Sequence, residues 1–132
     1  MTQDQLCTWE VLDGEVHRLT LHQSNRHSID VLLEHLYQII ENAPPDEVLR
    51  TYIDESQASQ MIPLNYLTSS LGNIAKKYPV RPPGRTAIIM RESLIKDLMA
   101  GLLRIVVRGR DNTRIFSPRE ADEALEWLRR DD

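Results

Sequence analysis

Residues 85–90 read Arg85-Thr86-Ala87-Ile88-Ile89-Met90. Four apolar residues in succession leave no polar face, so this run predicts a strand buried on both sides. Such strands belong to parallel sheets covered by helices. Before it, Pro79, Pro82, Pro83 and Gly84 read as a stiff loop, and before that Leu64, Leu67, Leu71, Ile74, Ala75 and Tyr78 recur at helical spacing. Pro63 suits the first turn of that helix, where its missing N–H costs nothing. On the other side, Ser93 is the expected cap of a further helix lined by Leu94, Ile95, Leu98, Leu102, Ile105 and Val106. Gly109 stands where a left-handed C-terminal cap is wanted.

The same grammar continues outward. Val48-Leu49-Arg50-Thr51-Tyr52-Ile53 is a β-rich run ending at Asp54, and residues 55–62 read as a polar connection. Ser28 is the expected cap of a helix with Ile29, Leu32, Leu33, Leu36, Ile39 and Ile40 on one face, stopped by Ala43-Pro44-Pro45. Thr8–Leu12 and Glu15–Leu21 flank Asp13-Gly14, the signature of a two-residue type I′ hairpin. At the far end, Thr113–Phe116 predicts a last strand. Ser117-Pro118-Arg119-Glu120 supplies a cap, a first-turn proline and a capping-box acid for a final helix. That helix turns Ala121, Ala124, Leu125 and Leu128 inward, with Trp127 at the margin. The expected order is β-β-α-β-α-β-α-β-α. This is an α/β fold with a mixed, mostly parallel sheet, expected as a single domain over residues 1–132.

Composition fits that expectation: 41% of residues are hydrophobic and 27% charged, which is ordinary for a folded domain. The single cysteine, Cys7, excludes an intramolecular disulfide and suits a reducing compartment. No apolar run approaches the roughly 20 residues needed to span a bilayer, and the N-terminus has no apolar signal region. A cytoplasmic protein is expected. The net charge of −4 divides unevenly, with +8 between Lys76 and Arg119 and −12 elsewhere. Either the basic stretch attracts an anion, or the two parts neutralise each other in the fold or across a dimer. Nucleic acid is not expected as a partner. Near Arg104, Arg108, Arg110 and Arg114 only Phe116 offers an aromatic face, and its β-run assigns it to the core.

Motifs for chemistry are sparse. The chain has no G-x-S-x-G elbow, no Gly-rich phosphate loop and no H-E-x-x-H, so neither catalysis nor a cofactor is expected. His17, His22, His27 and His35 do not converge: the first two fall on opposite sides of a strand, His27 on a loop, and His35 on the polar side of a helix. In open parallel sheets ligands sit beyond the C-terminal strand ends. There Asp54, Ser56, Arg91 and Ser93 form a candidate binding set for a small anionic or lipid-like ligand, with Arg91 as the anion contact. The competing reading is that Asp54 and Ser93 only cap and that Arg91 only pairs with Glu92 or Asp54. Ser56 and Ser59 are candidate modification sites.

Three segments taken together carry a family resemblance. They are Asp13-Gly14-Glu15-Val16-His17-Arg18-Leu19-Thr20, then Val48–Asp54, then Arg85–Ile89 leading to Ile115-Phe116 and to Glu120-Ala121 and Ala124-Leu125-Glu126-Trp127-Leu128. The chain resembles the SpoIIAA-like (STAS-like) proteins across nearly its whole length. The resemblance implies a mixed sheet packed by helices and a non-enzymatic regulatory or protein-interaction role, with a protein partner or a second copy as the counterpart. Better-known members are anti-sigma-factor antagonists, switched by phosphorylation of a serine in an Asp-Ser-Ser-Gly motif, or cytoplasmic domains of anion transporters. Here the sequence after Asp54 is Glu55-Ser56-Gln57-Ala58-Ser59, so that switch does not carry over.

Overall fold

The computed structural model describes residues 6–23, 25–44, 46–56, 64–78, 84–95 and 111–130. Its framework is a five-stranded sheet in simple sequential order. Strands β1 (Cys7–Leu12) and β2 (Val16–Leu21) form an antiparallel hairpin. Strands β3 (Leu49–Asp54), β4 (Gly84–Ile89) and β5 (Asp111–Phe116) then add in parallel, each beside its predecessor. Helix α1 (Arg26–Asn42) connects β2 to β3, and α2 (Leu64–Lys77) connects β3 to β4. Residues 92–95 are helical after β4. The helix and Gly109 cap expected farther on lie outside the described residues, as does the first-turn Pro63. After β5, a single 3₁₀ turn (Pro118–Glu120) runs into α3 (Ala121–Arg129).

This order decides where the helices go. Parallel neighbours added always in the same direction, with crossovers of one hand, place every crossover helix on the same face. The core divides accordingly. On one face Leu19, Leu21, Ile53, Ile88 and Met90 pack against Ile29, Val31, Leu32, Leu36 and Ile39 of α1, Leu67 of α2, and Leu94. On the other face Val16, Tyr52, Ala87, Ile89 and Phe116 meet α3, through Ala124 and Leu128, the helix that covers this face among the described residues. The Ala87–Met90 run alternates between these two cores with all four residues buried, as its unbroken apolar pattern requires. Two strand arginines fasten the C-terminal turn of α3, whose last carbonyls have no partner within the helix. Arg50 Nε donates to the Leu128 carbonyl at 2.7 Å, and Arg85 Nη1 donates to those of Trp127 and Arg130 at 2.9 and 2.8 Å.

Several local expectations need correction. Asp13 and Gly14 both take positive φ (52° and 71°), and Glu15 N–H donates to the Leu12 carbonyl at 3.0 Å, so the turn is primed. Leu12, however, pairs with Val16 and not with Glu15, so the loop has three residues. The shift by one sets Cys7 and Trp9 of β1 on the same face as Leu21 and Leu19, their partners, because each register step turns a side chain to the opposite side. The cap of α1 is Asn25, not Ser28: its Oδ1 accepts from the Ser28 N–H and hydroxyl, both at 2.9 Å, and Ser28 is buried in the first turn. Ser93 likewise lies within the helical residues 92–95, two positions past where a cap belongs. The box after β5 keeps Glu120, whose Oε1 accepts from the Ser117 N–H at 2.9 Å. That bond, with help from the Ser117 hydroxyl, holds the Glu120 carboxyl below the usual carboxylate range.

Candidate functional site at the strand ends

The C-terminal rim of the sheet can be built residue by residue from the register. Cys7 pairs with Leu21, Thr20 with Asp54, Asp54 with Ile89, and Ile89 with Phe116. One step farther, two backbone bonds extend the ladder, Glu55 N–H to the Ile89 carbonyl at 2.9 Å and Met90 N–H to the Phe116 carbonyl at 3.0 Å. Cys7, Leu21, Glu55, Met90 and Ser117 therefore form one row across the rim, all five buried. Side chains alternate along a strand. Glu55 thus takes the side of Ile53, facing the core that α1 and α2 cover, and Asp54 takes the opposite side.

Glu55 is the unexpected member. Taken from the sequence as the first residue of a polar connection, it is 1% exposed, and neither of its carboxyl oxygens has a hydrogen-bond partner among the described residues. Burial, and then the nearby Asp54 charge, push its carboxyl up to about 8. A carboxylate there would be buried, with no counter-charge among the described residues, so the acid keeps its proton through neutral pH. Cys7, fully buried in the same row, is pushed up to about 12 by burial and then by Glu55. At such a value the thiol is not a ready nucleophile. A positional clue to Glu55 exists in the sequence: it lies two residues beyond Ile53 and so continues the strand's inward parity.

Of the four residues expected to bind a ligand, the structure joins Asp54 and Ser56. Asp54 Oδ1 accepts from the Ser56 N–H at 2.9 Å and from its hydroxyl at 2.6 Å, a closed Asx turn. Arg91 and Ser93 stand exposed just after β4, the neighbouring strand. Glu92, one of the partners expected for Arg91, faces Arg119 at 3.6 Å, with both side chains well exposed. Ser59 lies outside the described residues. A phosphate on Ser56 would stand beside the carboxyl group of Asp54, an unfavourable place for added negative charge.

The basic stretch does not gather into one surface among its described residues. Arg85 serves the end of α3, and Arg114 stacks 5.2 Å from Phe116 and 5.3 Å from Trp127 on the α3 side. Lys77 lies 4.1 Å over the ring of Tyr37 on the opposite side. The histidines separate as expected for His17 and His22: Trp9 Nε1 donates to His17 Nδ1 at 3.2 Å, while His22 Nε2 meets Thr8 Oγ1 at 2.6 Å. His35 differs from expectation. It turns toward the sheet, its ring 5.5 Å from Trp9 and its Nε2 3.4 Å from the Cys7 carbonyl.

No protein-family model matches the chain, and comparison with curated proteins and with solved structures gave no match. Among the described residues, no helix is long and apolar enough to cross a membrane.

Proposed function

We propose that this protein is a regulatory interaction module of the STAS-like type, which acts by binding another protein chain and not by turning over a substrate. The observation that supports this reading is the outer strand of the hairpin. Among the described residues β1 has a strand partner on one side only. It carries Val11, 51% exposed, at the end where Trp9 and His17 lie half-buried. Natural edge strands are commonly protected by lysine, proline or a bulge. β1 has neither lysine nor proline, and its ladder with β2 runs unbroken from Cys7 to Leu12. An edge of this kind pairs readily with its own copy about a two-fold axis, because antiparallel self-pairing is isologous. The counterpart is therefore a second copy of this chain, and the module is a homodimer joined through β1.

The test is the mass in solution, followed by light scattering over a concentration series for the wild type and for Val11→Lys. A wild-type dimer that the lysine variant converts to monomer supports the reading. A wild type that stays monomeric throughout, or a dimer indifferent to the substitution, overturns it.

A further inference from the structure

We propose that Glu55 is a proton-operated latch on the strand-end rim: with its proton bound the row Cys7–Leu21–Glu55–Met90 stays closed, and loss of the proton opens that rim locally. The argument starts from geometry. Glu55 sits in the middle of the row, 1% exposed, with two carboxyl oxygens and nothing among the described residues to bond them. Its lateral neighbours, Leu21 on β2 and Met90 on β4, are apolar and wholly buried. A neutral acid is tolerable in such a place, whereas an ionised one needs water or a cation. The cheapest way to supply water is to part the rim, where the row meets the end of the sheet, and not to unfold the strands behind it.

The groups around the latch fix its sign. The charge that acts on Glu55 is that of Asp54, next along its own strand, and it favours keeping the proton. β1 contributes the Cys7 thiol, β2 and β4 contribute Leu21 and Met90, and the first turn after β4 contributes apolar Leu94. α2 presents Leu67 to this core, and α1 brings His35 to the Cys7 carbonyl. Rising pH therefore drives the rim open, and falling pH closes it. The proton occupies the point where open parallel sheets take their ligands, so opening would make that end of the sheet accessible in a pH-dependent way.

Cys7 is a built-in reporter, because it is the chain's one cysteine, fully buried, and separated from Glu55 in the row by Leu21 alone. The experiment measures the rate of N-ethylmaleimide addition to the full chain by intact mass, between pH 5.5 and 9, for the wild type, Glu55→Gln and Glu55→Met. Labelling takes place in the opened, hydrated rim, where Cys7 is released from burial in all three proteins and water screens the charge at position 55, so dividing the wild-type rate by that of either variant leaves the opening equilibrium. The ratio is expected to climb by up to about tenfold per pH unit and to level off near pH 8. Glu55→Met serves if the glutamine, which also lacks a partner, prevents folding. Labelling should be insensitive to low urea, since a local opening exposes little surface. Parallel profiles for the wild type and the variants would refute the latch. So would labelling that accelerates with urea along the slope of global unfolding.

Discussion

Replacing Glu55 by glutamine should change not only the rim but also the pH dependence of the whole fold, and the size of the change can be worked out. The carboxyl titrates near 4.5 in the unfolded chain and is held at about 8 in the folded one. Between those values the folded state binds a proton that the unfolded state has released. Folding stability therefore falls as pH rises, by at most about 1.4 kcal/mol per pH unit, and flattens above pH 8. From pH 5 to pH 8 the loss comes to about 3.5 kcal/mol, an upper figure because water entering the rim relieves part of it. Glu55→Gln removes this slope and keeps the shape. The assay is urea unfolding followed by the fluorescence of Trp9 and Trp127 at pH 5, 6, 7 and 8, for both proteins in the same salt. His17, whose pKa burial lowers, contributes in the opposite direction: its stabilisation grows as pH rises toward 6.5. It is common to both proteins and drops out of the difference. The glutamine variant should gain on the wild type at each step upward in pH. If the difference between the two stays within about 0.5 kcal/mol over the whole range, Glu55 is not a buried neutral acid and the reasoning fails.

Other substitutions probe the second face and the hairpin. Leu128→Ala should cost about 3 kcal/mol in urea unfolding, because Leu128 is fully buried where α3 covers that side of the sheet. A cost under about 1 kcal/mol would mean that α3 is not needed to close that core. Arg85→Ala should cost about 1–2 kcal/mol by removing charge-assisted bonds to two carbonyls at the end of α3. Hydrogen exchange should then accelerate in the last turn of α3 before it does in α1. Gly14→Ala should cost about 1 kcal/mol through its left-handed backbone, since nothing lies within 4 Å of an added Cβ. A loss several times larger by thermal melting would mean that the turn also governs the register of β1 and β2.

The legible parts of the fold were those written in periodicity. The continuous apolar run at Ala87–Met90 announced a strand buried on both sides, and Ile29, Leu32, Leu36 and Ile39 announced one face of α1. Boundaries were less readable, since Asn25 and Ser28 are both good caps and three residues apart. Only the chain's actual path decided that Asn25 bonds forward and Ser28 is swallowed by the first turn. The hairpin misled for a related reason. Asp13-Gly14 supplies the left-handed pair that a two-residue turn needs, but pairing of Leu12 with Val16 overrides the shortest loop. At the candidate site, Asp54 and Ser56 do come together, in the turn that the competing capping reading expected of Asp54. Glu55 was hidden by its chemistry, because a glutamate after a strand reads as solvent-facing unless its parity with Ile53 is followed one step farther.

The one-sided placement of the crossover helices bears on how the chain acquires its shape during synthesis. Everything from β1 to Met90 can assemble on the α1 and α2 side as those segments emerge. The opposite side, with Val16, Tyr52, Ala87 and Ile89, has no cover among the described residues until 121–129 arrive. For that interval the growing chain displays a bare apolar sheet surface, the kind of surface that chaperones hold and that neighbouring nascent chains stick to. Slow synthesis or early termination before α3 should thus yield aggregates and not a smaller soluble fold, and the arginines at positions 50 and 85 wait as the catch that seats the helix when it comes.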